Sequence, residues 1–261
     1  MNESFAKYMA GLLDADGCLS FAPVDGKLYL RLVLCASESI DRSGAFIKAL
    51  PELTGVGTVQ TTVLTGAGHS TRNDWRISAR TDLNTFLPWV IKHMVIKGKH
   101  WQWMLEVYTK MKGQNISPEG LNKLKLASAA SRQLAGPLKS KSHPSWAWVA
   151  GYFDGDGCYK NRFDKKSGKW HRRIVVECSK SDRIALELLF KAFGGSIYDH
   201  DTTSVWSLNL GPRNSSMAEK LLPEMAKHSR LKKHKIAQLI HFHRQRLSDS
   251  TPTGEAIVQA A

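Results

Sequence analysis

Only four cysteines occur in the 261 residues, Cys18, Cys35, Cys158 and Cys178, and none stands in a CxxC pair or beside a histidine ladder. That excludes a disulfide framework and a zinc site, and predicts reduced thiols. No apolar run approaches the roughly 18 residues needed to cross a bilayer. The opening MNESFAKYM lacks the basic flank and apolar core of a secretory leader. An intracellular protein without a membrane partner is therefore expected, its compartment open between a bacterial, archaeal or phage cytoplasm and an organelle matrix. Acidic residues are also scarce: 23 Asp and Glu face 37 Lys and Arg, a formal charge of +14. A surface that positive attracts polyanions with strong salt dependence, nucleic acid first among them. A merely basic, soluble protein would share that charge, so charge alone does not decide.

What the chain does have, it has twice. MAGLLDADG at 9–17 and VAGYFDGDG at 149–157 align Ala10, Gly11, Asp14, Asp16, Gly17 and Cys18 with Ala150, Gly151, Asp154, Asp156, Gly157 and Cys158 at a constant offset of 140. After each comes an alternating run. In KLYLRLVLC, Leu28, Leu30, Leu32 and Leu34 share one face; in HRRIVVEC, Ile174, Val176 and Cys178 point inward, and His171, Arg173, Val175 and Glu177 outward. A capped helix and a glycine-bounded strand pair follow in both copies, with Trp75 and Trp206 in matching places. TFLPWV then matches KLLPEM, and VIKGKHWQWMLEVY matches RLKKHKIAQLIHFH.

The predicted class is α+β, two pseudo-symmetric αββαββα halves, residues 1–112 and 144–247. Residues 113–143 read as a linker with a short helix, Ser117 as cap and Pro118 at its first position. Residues 248–261 carry little core pattern and read as a disordered tail.

The small residues explain the acids. Gly11 and Ala15, like Gly151 and Gly155, are four apart and share one helix face. Glycine costs roughly 1 kcal/mol per helical position relative to alanine, and both copies accept that cost. Two such faces can pack back to back about a pseudo-twofold axis, so that Asp16 and Asp156 emerge together. Paired carboxylates repel unless a cation or shared proton offsets their charge. An oxygen donor set and a polyanionic partner suit Mg2+, which also takes waters and phosphate oxygens.

These segments resemble the namesake motif of the LAGLIDADG homing endonucleases, in the single-chain, two-motif form, over about residues 4–247. The resemblance implies a monomer with a saddle-shaped antiparallel sheet in each half, joined by a linker and packed through the two motif helices. It implies metal ligation by Asp16 and Asp156 with the main-chain carbonyls of Ala15 and Gly155. The metal it implies is Mg2+ or Mn2+, with Ca2+ expected to bind without turnover. A basic residue near the scissile phosphate falls on Lys97 and Lys232, with Lys99 and Lys233 as alternatives; each lysine suits backbone binding as well as catalysis. Asp14 and Asp154 fit structural capping better than ligation. Ser37 and Ser179 stand where the family commonly has glutamine or similar.

The implied reaction is a double-strand break in duplex DNA across the minor groove, leaving short 3′ overhangs. Residues facing the bases would be Lys27, Tyr29, Arg31, Gln60, Thr62, Asp74 and Arg76 in the first half. Their counterparts in the second are Arg162, His171, Arg173, Glu177, Tyr198, His200 and Ser207. The two sets differ, which predicts an asymmetric target. An RNA maturase acting on its host intron RNA and a catalytically silent DNA-binding protein are the alternative readings; an intein-embedded enzyme fits less well. His234, His241 and His243 offer no metal-ligand pattern, and Trp101, Trp103, Trp146 and Trp148 suit the core or its margins.

Overall fold

The computed structural model describes residues 2–37, 44–63, 71–111, 114–133, 144–166, 169–210 and 215–250. Two helices form its centre, α1 (Glu3–Asp16) and α6 (Trp146–Asp156). Their starts are capped alike. Asn2 Oδ1 accepts from the Phe5 N–H, and Ser145 Oγ accepts from that of Trp148. Gly17 and Gly157 end them, each N–H returning to a helix carbonyl, of Leu13 and Phe153 respectively. Both helices are buried on nearly every side from the middle onward, as expected of helices apolar all round.

Their closeness is set by two glycines. A Cβ on Gly11 would stand 2.0 Å from the Trp148 carbonyl oxygen, and one on Gly151 would stand 2.0 Å from that of Tyr8. The backbones touch directly. One turn further on, a Cβ on Gly155 would lie 2.4 Å from that of Ala15.

Around this pair each half repeats one plan. The first contains β1 (Cys18–Val24), β2 (Lys27–Ser37), α2 (Ala45–Thr54), β3 (Thr58–Val63), β4 (Thr71–Ile77), α3 (Arg80–Ile91) and α4 (Gly98–Lys110). After α5 (Pro118–Gln133), the second contains β5 (Gly157–Asp164), β6 (Lys169–Ser179), α7 (Ile184–Phe193), β7 (Ser196–Asp199), β8 (Thr203–Asn209), α8 (Ser215–His228) and α9 (Lys233–Ser250). The sheets are antiparallel, ordered β1-β2-β4-β3 and β5-β6-β8-β7. Leu28, Leu30, Leu32 and Leu34 are buried under the first sheet, and Ile174, Val176 and Cys178 under the second. Trp75 and Trp206 are also inside, donating their indole N–H to the carbonyls of Val56 and Gly194. Val175, predicted to face outward, does so, and is buried on that outer face between Cys158 and Ser207 of the flanking strands.

Each half closes with two helices, where the aligned segments had shown one. The cause is chemical: the backbone N–H groups of Val95, Ile96 and Lys97 all donate to Asp14, and those of Arg230, Leu231 and Lys232 to Asp154. Diverted to a carboxylate, those donors start a new helix rather than continuing the old one. The helix after Ser117 runs 16 residues, longer than the short helix expected, and its Leu121 joins the core. Residues 248–250 lie in α9; 134–143 and 251–261 fall outside the described residues. No helix among the described residues is long and apolar enough to cross a membrane.

Candidate active site and nucleic-acid interface

The ends of α1 and α6 bring the second acids of the two motifs together. Asp16 Oδ2 lies 3.1 Å from the place a Cβ of Gly155 would take, so the side chain leans across onto the other helix. Asp16 is exposed and Asp156 half-buried. Burial, and then the charge of Asp16, push the Asp156 carboxyl up to about 6. Burial also raises Asp16, against the pull of Lys232 and then Lys97. For Asp156 the order reverses, Lys97 counting before Lys232. Each acid therefore feels the lysine of the other half more strongly.

Those lysines do not reach into open space. Lys97 Nζ donates to the carbonyls of Leu13, Ala15 and Gly17 at 3.2, 2.9 and 3.0 Å. Lys232 Nζ donates to those of Phe153, Gly155 and Gly157 at 3.1, 2.7 and 2.6 Å. All three ammonium protons of each are engaged. Burial lowers the pKa of both, while nearby carboxylates raise it. They neutralise the negative ends of the two motif helices, and they bond the Ala15 and Gly155 carbonyls that the family resemblance would give to a metal. Lys99 and Lys233, the alternatives, are exposed.

The first acids are architectural. Asp14 accepts from the Val95, Ile96 and Lys97 N–H groups and, at 2.9 Å, from Trp148 Nε1 across the helix pair. Asp154 accepts from the N–H groups of Arg230, Leu231 and Lys232, from Ser229 Oγ, and at 2.8 Å from Tyr8 Oη across the pair. Tyr8 and Trp148 stand at the 140-residue offset, so each half lends one donor to the other's acid. Trp148 thus has a bonding role as well as a packing one. Tyr8→Phe removes one charge-assisted bond and little volume. It should lower stability by about 2 kcal/mol, read as a shift in the urea midpoint, and an unshifted midpoint would show the bond to be dispensable.

Tyr152, missed in the sequence, is buried four residues before Asp156 on α6. Leu12 occupies the matching place, so the two acids are not equivalent. A tyrosine four residues before the acid on the same helix was the available signal. The chain offers no group of three His, Cys, Asp or Glu fit for a metal among the described residues. A cation at this place would take two carboxylates and complete its shell with carbonyl, water and phosphate oxygens, a donor set that fits Mg2+.

On the outer faces of the sheets, Lys27, Arg31, Gln60, Arg173, Glu177, Tyr198 and His200 are exposed, while Tyr29, Thr62, Arg76, His171 and Ser207 are partly so. For Arg162 the backbone pairs with His171, and its side chain lies outside what is described. Asp74 departs from the expectation of an exposed base reader: it has no accessible surface. Arg72, on the same outward face two residues away, was overlooked in the sequence and is 44% exposed. Ser37 is half-buried; Ser179 is exposed and bonded to Ser181 and Asp182. His234 is half-buried and His241 exposed, and the side chain of His243 lies outside what is described.

Residues 149–244 match the family model described as LAGLIDADG endonuclease. No curated protein matches the chain by sequence. Solved structures match over nearly its full length. The LAGLIDADG meganuclease I-AabMI bound to uncleaved DNA gives a TM-score of 0.72 at 17% identity, covering 99% of this chain and 96% of that one. I-SmaMI bound to its uncleaved DNA target in the presence of calcium ions gives 0.72 at 16%, covering 98% and 95%. The homing endonuclease I-GzeII in complex with its DNA target gives 0.70 at 13%, covering 96% and 93%. At these identities the likeness is one of fold, and it includes both halves.

Proposed function

We infer that this chain, LAGLIDADG-like in both halves by motif and by fold, is a site-specific homing endonuclease. It binds a long, asymmetric DNA duplex as a monomer and breaks both strands by metal-dependent hydrolysis, leaving short 3′ overhangs. The observation that carries the reading is the convergence of Asp16 and Asp156 at the end of a glycine-fitted helix pair. Each acid ends the helix that leads into the antiparallel sheet of its own half, and the outer faces of both sheets carry basic side chains. Structures of the same fold holding DNA support it.

Asp16 and Asp156, with the Ala15 and Gly155 carbonyls, would hold Mg2+ or Mn2+, which when bound supplies Lewis acidity and an activated water. The remaining work belongs to the chain. The two acids fix the reacting centre on the pseudo-twofold axis, so that one acid from each half serves both strands. Lys97 and Lys232, with their protons committed to carbonyls, act as fixed positive charge beside the site rather than as proton donors. Fixed charge of that kind stabilises the added negative charge on a phosphate under attack. The sheets dock the duplex, since alternate side chains of a β-ribbon can meet base edges in the major groove.

The test is to select bound duplexes from a random pool and incubate the winners with the protein and Mg2+. Cleavage of both strands in Mg2+ and none in EDTA is the expected result. A failure to select any duplex, or cutting that persists in EDTA, would refute the reading. Selective binding without cutting would indicate the silent DNA-binding protein instead, and stimulated splicing of intron RNA a maturase.

A further inference from the structure

The first sheet carries a charged cluster on β4 with no counterpart at the matching places of β8. Arg72, Asp74 and Arg76 alternate along the outward face of β4, an inner strand of its sheet. Arg72 Nε lies 2.8 Å from Asp74 Oδ1, and its Nη2 donates to Asp74 Oδ2 at 2.9 Å. Arg76 Nη2 donates to the same Oδ2 at 2.7 Å, and its Nη1 donates to Gln60 on β3. Cys35 on β2 stands directly opposite Asp74 in the strand pair. Asp74 has no accessible surface, while the side chains of Arg72 and Arg76 that contact it stay 44% and 32% exposed. At the matching places around Trp206, β8 carries Thr203, Val205 and Ser207.

An uncompensated surface carboxylate repels DNA, so an acid in the middle of a DNA-facing sheet needs a reason. Here the reason is orientation. Arginine reads guanine by forking O6 and N7 with two N–H groups, and long side chains in water do not hold such a fork still. With Nη2 hydrogen-bonded to Asp74 Oδ2 and Nε in ion-pair contact with Oδ1, Arg72 keeps the Nη1 side of its guanidinium for a base. Because both arginines bond one oxygen, the bonded nitrogens lie within about 6 Å of each other, under two base-pair steps of about 3.4 Å.

We propose that Asp74 is a positioning residue that holds Arg72 and Arg76 as a preset pair of guanine readers. The target half-site under the first sheet then carries guanines at two neighbouring or next-neighbouring base pairs, and the half-site under the second sheet has no equivalent requirement from β8. This inference rests on the endonuclease reading above and specifies what the first sheet recognises.

Selection of bound duplexes from a random pool, in Ca2+ to prevent cutting, tests it. The wild-type protein should select such a guanine pair in one half-site. Arg72→Gln and Arg76→Gln should each lose discrimination at one of the two positions by roughly ten-fold or more. Asp74→Asn should relax both positions together while leaving the salt dependence of nonspecific binding unchanged or steeper, which a folding defect would not do. Selected duplexes without the guanine pair, or Asp74→Asn retaining both preferences, would overturn the inference and leave the endonuclease reading standing. Failure to select any duplex would overturn both.

Discussion

Asp16→Asn and Asp156→Asn each reduce double-strand cleavage by on the order of a thousand-fold, while the protein still folds and still retains its duplex in Ca2+ or EDTA. The expectation follows from the crowding of the two carboxylates: Asp156 is pushed up to about 6 by burial and by Asp16, so the acids are held together at a cost that a bound cation or a proton offsets. The sign of the pH effect follows. A carboxyl whose folded pKa exceeds its unfolded one favours the native state fully below about pH 4, and that contribution is lost as pH rises through about 6. The metal-free protein should therefore lose stability between pH 5 and pH 8 at this site. Mg2+ should stabilise it more at pH 8 than at pH 5, because protons and the cation compete for the same oxygens. Thermal melts at both pH values, with Mg2+ and with EDTA, read this directly. In Asp156→Asn the metal-dependent gain should shrink at both pH values. Full cleavage by either variant would show that the acids do not form the reacting centre.

The sequence was most legible where spacing dictated contact. Two glycine-bearing helices at a fixed offset predicted their own interface, and alternating Leu28–Leu34 predicted the buried face of β2. It was least legible where a contact depends on the relative rotation of two helices. Nothing in an isolated motif says that Tyr8 will bond Asp154 or Trp148 bond Asp14, since those pairs exist only once α1 and α6 have docked. The break between α3 and α4 was hidden for a related reason: three backbone donors leave the helical pattern for an acid more than 80 residues earlier in the chain. Lys97 and Lys232 were found by position but not by contact, because a lysine that caps a distant helix end has the same sequence context as one that binds phosphate. Asp74 shows the limit of reading a strand face by alternation. Period two placed it outward correctly, and only the folded chain, with Arg72 and Arg76 in contact with it, reveals that it has no accessible surface.

Gly11→Ala should cost about 3 kcal/mol of stability, the upper end of what an added methyl does in a packed interior. The added carbon would stand 2.0 Å from the Trp148 carbonyl oxygen and 2.8 Å from the Tyr152 nitrogen, and neither can swing away because both belong to the backbone of α6. The helices must separate. Gly120→Ala supplies the contrast: in α5 its new carbon would meet only the side chains of Ile116 and Ser117, at 3.3 Å, and the gain in helix propensity offsets that crowding to within about 1 kcal/mol. Gly151→Ala pushes the same two helices apart from the other side, meeting the Tyr8 carbonyl oxygen at 2.0 Å. Once one alanine has separated them the second meets less resistance, so the double variant should lose clearly less than the two single losses added. Separation also draws Asp16 away from Gly155 and Asp156, so cleavage should fall further than the drop in folded protein accounts for. Urea midpoints for the five proteins, wild type included, with cleavage rates at matched folded concentration, decide the matter. A Gly11→Ala midpoint equal to that of the wild-type protein would mean that the two backbones do not meet at Gly11.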